Sequence, residues 1–377
     1  MKNSCCRICG QELFPDILLD LKAMPAAAQN LPTFETLGKD RRIDLELRQC
    51  SCCGLVQLAN SPVSYYRDVI RAAACSPEMK AFRLLQFKKW LKNYKLKGKP
   101  ILELGCGAGE YLETMRQAGG NAYGIEHGAK AVRQCRANNL DVEKLYFEHG
   151  NEKIKNAPFS GFYILNWLEH IPNVKEFFKA LRNNLSENAF GLVEVPNFSM
   201  ILEKGLLTEI TSEHLYYFTR ETLANTLEFS GFNVISCKPI WHDYILSAEV
   251  QKKNRIDNSI FLECKASVCK ALHAYMALHK KVAIWGAGHQ ALAVMAMAGL
   301  EGKIEYVIDS SPLKQGRFTY ATHIPIKAPE ALLSDTVDAV IVMCAGYSDE
   351  VAQILRTKYP FVRHIAILRE QLLEELQ

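Results

Sequence analysis

The stretch Ile101–Leu112, ILELGCGAGEYL, constrains this chain more than any other, because an apolar run ends in an acid and then breaks into alternating glycines. That pattern spells a strand, a tight turn and the start of a helix. Gly105, Gly107 and Gly109 permit backbone conformations that a side chain would block, so a ligand can lie against bare peptide groups and a helix N-terminus. A second strand follows one helix later, NAYGIEH, and puts Glu126 at its end, where a carboxylate can accept hydrogen bonds from a ribose diol. The pair reads as a nucleoside site.

Spacing narrows the nucleoside. A dinucleotide fingerprint asks for G-x-G-x-x-G after the strand, because its helix dipole faces a pyrophosphate. Here Glu103 precedes G-x-G-x-G, and a carboxylate so near the turn repels phosphate but suits a cationic sulfonium and its amino group. The block resembles the first motif of the class I methyltransferases. That resemblance implies S-adenosylmethionine, with residues 103–109 on its methionine part and Glu126 on its ribose.

At 377 residues the chain is too long for one compact core and suits two or three domains. Two C-x-x-C knuckles, Cys6/Cys9 and Cys50/Cys53, each followed by glycine, bracket the first of them. Four inward thiolates make a closed tetrahedral zinc site with no water position, which is structural. Cys5 and Cys52 are the register alternatives, but only the chosen set gives the two-residue gap in both halves. From Tyr65 to Tyr94, Met79, Phe82, Leu85, Phe87, Trp90 and Leu91 recur at helical spacing, so a helical connector is expected.

Beyond the glycine turn, strands and helices alternate as in a doubly wound sheet. PFSGFYILNWLEHIPN is its fourth strand and turn, and it places Asn166, Leu168, Glu169 and His170 at the carboxyl end, the ligand side of such sheets. The loop TEITSEHLYYFT carries Glu213 and His214, the best acid/base candidate in the chain, and Thr219 caps the helix that follows. Neighbours on an extended chain point apart, so Glu213 is expected to meet a substrate hydroxyl and not His214. Near Val282 a second strand, glycine turn and helix begins, with Gly286, Gly288 and Ala291 in G-x-G-x-x-A and Asp309 on the next strand.

The expected fold is α/β: a class I methyltransferase doubly wound sheet with a small N-terminal zinc-binding module and a C-terminal Rossmann-like half-fold. Its parts are residues 1–60 (zinc module), 61–98 (helical connector), 99–240 (methyltransferase), 241–280 (crossover) and 281–377 (C-terminal half-fold). A formal charge of +4 with no long Lys/Arg run leaves no footprint for nucleic acid or membrane, so small-molecule partners are expected. MKNSCCRICGQ lacks the apolar core of a signal peptide and no apolar run is long enough to span a bilayer, so a cytoplasmic location is expected. No pattern in the chain speaks to oligomeric state.

With knuckles, glycine turn, Glu-His loop and terminal half-fold in that order, the chain resembles the bacterial nucleotide-sugar C-methyltransferases over almost its whole length. EHLYYFT and VIDSSPLKQGRFTYATHIPI are among the most specific pieces. The resemblance implies a nucleotide-sugar substrate methylated at a carbon beside a ketone, Cys6, Cys9, Cys50 and Cys53 on zinc, and His214 as base with Glu213 beside it. It also implies that His170 is a second active-site histidine and that the half-fold helps to hold the nucleotide sugar; in protonated form His170 is the nearest candidate to steady the enolate. Where this family has a tyrosine three residues before the loop histidine, the chain has Thr211; the stretches DVIRAAACSPEM and HDYILSA also depart from it. Alternatives are an O-methyltransferase on a sugar hydroxyl, a zinc-ribbon RNA methyltransferase and a non-catalytic sugar-nucleotide binding protein.

Overall fold

The structure, a computed structural model, describes residues 4–29, 31–68, 76–370 and 372–376, and the chain divides into two compact units, Met1–Asn254 and Arg255–Gln377. In the first unit the strands are β1 (Leu19–Pro25), β2 (Arg42–Gln49), β3 (Val56–Leu58), β4 (Pro100–Leu104), β5 (Asn121–Glu126), β6 (Asp141–Lys144), β7 (Phe159–Leu165), β8 (Leu185–Pro196), β9 (Tyr216–Tyr217), β10 (Phe232–Ile240) and β11 (Ile245–Lys252). They form two sheets. The larger has the order β10-β11-β8-β7-β4-β5-β6, with β4 to β8 parallel and β10 and β11 antiparallel at one edge.

Its central strands are buried on both faces, which is why PILEL and FYIL read as continuous apolar runs. The chain winds outward from β4 through β5 to β6 and then returns to the other side of β4 with β7. At that reversal, connections leave β4 and β7 in opposite directions and open a crevice at their carboxyl ends. The glycine turn and the 158–173 segment both empty into it.

Among the described residues of the connector, the α-helix is Pro77–Asn93, after a 3-10 turn at Tyr66–Asp68; Pro77 supplies a preset φ and Ser76 accepts the Met79 N–H at 3.1 Å. Residues 69–75, within the divergent DVIRAAACSPEM stretch, lie outside the described residues. The helix buries Arg83 with Phe87, Trp90 and Leu91 and leaves Leu85 exposed, so its inward stripe is rotated from the apolar one. A charge takes that stripe because a partner carboxylate awaits it, as described below.

The expected 241–280 crossover also differs. β10 and β11 form a hairpin that completes the methyltransferase sheet as far as residue 252, because β11 pairs along β8 from Ile245↔Pro196 to Gln251↔Phe190. The charged run beyond it is largely the helix Ser259–Ala277, whose Val268, Leu272 and Tyr275 pack into the second unit. That unit contains β12 (Val282–Trp285), β13 (Val307–Ile308), β14 (Ile326–Lys327), β15 (Ala339–Val342), β16 (His364–Arg369) and β17 (Leu372–Leu376), in the order β14-β13-β12-β15-β16-β17. All neighbours but the last pair are parallel, as a Rossmann-like half-fold requires. No helix among the described residues is long and apolar enough to cross a membrane.

Candidate active site

The cofactor crevice is built on the turn after β4. Gly105, Gly107 and Gly109 all have positive φ, at 71°, 53° and 89°. A Cβ on Gly105 would stand 2.7 Å from the Trp167 indole, so both backbone and neighbour demand glycine there. Gly105→Ala is expected to cost about 1–3 kcal/mol of stability and to weaken S-adenosylmethionine binding by about tenfold, read by thermal unfolding and calorimetric titration.

Glu126 stands at the end of β5, half-buried, and accepts the Gly107 N–H at 3.0 Å and the Gly128 N–H at 2.7 Å. A carboxylate has about four acceptor positions, so two remain for a ribose diol. Asn166 follows β7 with its side chain exposed and φ at 49°, a strained conformation that asparagine tolerates better than most residues. Glu103, at the end of β4, is 3% exposed and accepts the Tyr163 hydroxyl at 3.0 Å. Leu168 is fully buried in the main apolar core, because the turn after β7 folds it inward as an anchor.

Sequence reasoning missed Arg83. Its Nη1 pairs with Glu194 and donates to Gln86 at 2.7 Å, while Nε and Nη2 have no hydrogen-bond partner. Glu194 also accepts from Gln86 at 2.5 Å and Ser247 at 2.9 Å, and its carbonyl takes the Asn166 N–H. The guanidinium lies 5.5 Å from the ring centroid of Tyr111, which is in the first turn of the helix after the glycines. Arg83 therefore sits between the glycine helix and the ends of β7 and β8, with the Nε/Nη2 side of its fork unused.

The two histidines lie ring to ring. His170 ends the short 3-10 turn Leu168–His170, and its ring is 4.8 Å from that of His214 in an edge-on arrangement. The His170 Nδ1–H donates to the Glu213 carbonyl at 3.0 Å, which leaves Nε2 with its lone pair. Burial pushes the His170 imidazole down to about 4, and burial with the nearby His170 pushes His214 down to about 3. Both rings are neutral near pH 7. That burial disfavours the protonated His170 expected to steady an enolate. Glu169, missed as a titrating group, is buried and raised to about 8 by that burial, and its Oε2 has no hydrogen-bond partner.

Glu213 is held from the N-terminal side. It accepts the Tyr65 hydroxyl at 2.7 Å, the Gln29 amide at 3.1 Å and the Ala28 N–H at 3.2 Å. These donors come from the N-terminal module and its exit, and they fix the loop that presents His214. β9, directly after His214, pairs with β3 and makes the second sheet, β1-β2-β3-β9, a joint product of the module and the methyltransferase segment. In the same way Tyr66 and Arg67 bind Glu148, and His127, next to Glu126, holds Asp68 at 2.8 Å. The exit segment lies along the crevice.

In the module the sulfurs of Cys6, Cys9, Cys50 and Cys53 converge, with Cys6–Cys53 at 3.7 Å and Cys9–Cys50 at 3.5 Å. Four sulfurs at about 2.3 Å from one tetrahedral zinc would lie about 3.8 Å apart, so the set fits the ion. Cys5 and Cys52 are exposed and outside the cluster. In the second unit Asp309 accepts the Ala287 N–H at 2.9 Å and pairs with Lys314 at 2.8 Å, which closes the G-x-G-x-x-A turn on itself. HDYILSA opens on the β10–β11 turn, where Trp241, His242 and Asp243 all have positive φ.

A family model described as a methyltransferase domain matches residues 77–237, and one described as a C-methyltransferase C-terminal domain matches residues 258–360. Among curated proteins the chain is similar to the C-methyltransferase NovU of Streptomyces niveus, 22% identical over 396 residues that cover 92% of this chain and 90% of that one. It is also similar to a ubiquinone biosynthesis O-methyltransferase of Paraburkholderia phymatum, 25% identical over 185 residues, 43% of this chain and 78% of that one. Among solved structures, an S-adenosylmethionine-dependent methyltransferase from Clostridium acetobutylicum aligns with a TM-score of 0.38 and 12% identity, covering 46% of this chain and 92% of that one.

Proposed function

We propose that this S-adenosylmethionine-dependent C-methyltransferase acts on a nucleotide-linked keto-deoxysugar, at the carbon next to a 4-ketone, with His214 as the base. Carbon is a poor nucleophile until it loses a proton, so the reaction needs a neutral base held beside the methyl donor. The observation that carries the reading is the placement of His214. Its ring packs against His170 at the carboxyl end of β7, the same end that carries Asn166 and faces the glycine turn. When bound, the cofactor supplies an electrophilic methyl group on a sulfonium.

The chain's own residues hold and orient. Glu126 would take the ribose, the turn of Gly105 to Gly109 the methionine backbone, and the unused fork of Arg83 the methionine carboxylate. Arg83→Lys keeps the charge facing Glu194 but loses side-on bidentate geometry. The expected result is cofactor affinity about tenfold or more weaker, measured by calorimetry, with the fold intact by circular dichroism. Burial keeps His214 neutral across the physiological range, with a free lone pair but lowered basicity, so its role as base requires that bound substrate raise its pKa back toward neutrality. His170 would fix the ring's tilt.

Zinc in the Cys6/Cys9/Cys50/Cys53 cluster would be structural, since four thiolates close the shell. Its part would be to hold β2 and β3 as the ledge on which β9 pairs. The second unit would help to hold the nucleotide.

The test is incubation with methyl-labelled S-adenosylmethionine and 4-keto or 4-hydroxy sugar nucleotides in deuterated water, with mass readout. Label on the keto sugar, with deuterium entering at the adjacent carbon, supports the proposal. Label only on hydroxyl-bearing sugars, without exchange, overturns it in favour of O-methylation, the chemistry named for a relative that aligns with 43% of this chain.

A further inference from the structure

We propose that Glu169, His170 and His214 form a binding site for one transition-metal cation of the zinc, cobalt and nickel class, separate from the four-cysteine cluster, and that its occupancy silences His214. Each residue offers one donor atom, and the three donors lie within 4.8 Å of one another. They come from two elements, the turn at the end of β7 and the loop before β9.

The second-neighbour contacts are those of a ligand set. The His170 Nδ1–H is spent on the Glu213 carbonyl, which fixes the ring and aims the Nε2 lone pair at Glu169, whose Oε1 is 3.9 Å away. Metal-binding imidazoles are oriented by such a bond from the other ring nitrogen. Glu213 is held in turn by Tyr65, Gln29 and Ala28, so the support is rigid. At the centre Glu169 is 1% exposed, and its Oε2 is buried with no hydrogen-bond partner. A buried carboxyl oxygen with nothing to satisfy it is a cost that a cation would remove.

Distances set the adjustment needed. Donors at about 2.0–2.2 Å from one tetrahedral ion lie about 3.3–3.6 Å apart. The Glu169–His170 pair, at 3.9 Å, would draw in by a few tenths of an ångström and the widest separation, up to 4.8 Å, by about 1.2–1.5 Å. His214 is half-buried, and a rotation of its side chain on the fixed loop is the adjustment available. Two imidazoles and one carboxylate favour zinc, cobalt or nickel over magnesium or calcium, which prefer all-oxygen shells. The lone pair that would bind the metal is the one that would take the substrate proton, so binding and turnover compete. The binding claim stands without the proposed acceptor; only the effect on turnover rests on it.

Protein carrying one zinc per chain is titrated with Co2+, followed by visible absorption and calorimetry, in wild type, Glu169→Gln, His214→Ala and His364→Ala. The last removes a member of a second histidine cluster, His279, His364 and Glu375, in the other unit. The expected result is one Co2+ of nitrogen/oxygen type beyond the zinc. Its affinity should fall at least about tenfold in Glu169→Gln and His214→Ala and stay unchanged in His364→Ala. Methyl transfer should fall with occupancy and return on adding a weak chelator. Absence of that Co2+, its persistence in folded Glu169→Gln, or its loss only in His364→Ala overturns the site. Full turnover by cobalt-loaded protein overturns the silencing. If no sugar nucleotide is turned over at all, the acceptor reading fails while the cobalt titration still decides the site.

Discussion

His214→Ala is expected to abolish deuterium exchange at the carbon beside the ketone and to slow methyl transfer by about 10²–10⁴-fold, with cofactor affinity unchanged within about twofold. The size follows from what a positioned base contributes to a C–H cleavage. The cofactor should not notice, because Glu126, the glycine turn and Arg83 stand on β5, the β4 turn and the Pro77–Asn93 helix, none of which leans on the His214 ring. Measuring exchange and affinity separately distinguishes a lost base from a damaged site. A variant that still exchanges deuterium would move the base elsewhere in the crevice.

Cys50→Ser is the second large effect. It should release the metal and lower methyl transfer by about a hundredfold or more, although no cysteine of the cluster reaches the crevice. Structural zinc in such knuckles supplies about 10–16 kcal/mol of apparent binding free energy, and in a module this small that is folding free energy. Without it, β2 and β3 lose their anchor, β9 loses the strand it pairs with, and Glu213 loses the donors from Ala28, Gln29 and Tyr65. The loop that presents His214 then has nothing to fix it. Zinc content, label transfer and cofactor affinity together give the answer: metal and turnover go, while binding of S-adenosylmethionine largely remains. Full turnover by metal-free Cys50→Ser would show that the ledge is dispensable.

Some of the site was legible early because the chemistry is local. The knuckles, the glycine turn and Glu126 each depend on residues a few positions apart, and local spacing is what a sequence displays. Thr219 is a similar case, since its side chain caps the helix Arg220–Phe229 through Thr222, three residues on. Other residues depend on a partner distant in the chain. Glu103 has a partner the sequence does not display, the Tyr163 hydroxyl sixty positions away. Arg83 reads as a solvated charge on a helix, and its burial becomes affordable only beside Glu194, 111 residues away. Glu169 has no sequence signature at all; burial alone makes it titrate late.

What the sequence determined by itself was periodicity and punctuation: which runs are strands, where glycines break them, and which cysteines and acids stand at strand ends. Those features come from backbone geometry and side-chain spacing, and they are enough for an α/β methyltransferase sheet with a cysteine module before it. Tertiary structure decided what those residues meet. It placed β9 on the module's sheet, spent Glu213 on the Tyr65 segment, set two histidines ring to ring and drove both to the neutral form. The physical reason is that ionisation, hydrogen-bond satisfaction and desolvation depend on neighbours in space, and those neighbours come from parts of the chain tens to more than a hundred residues apart.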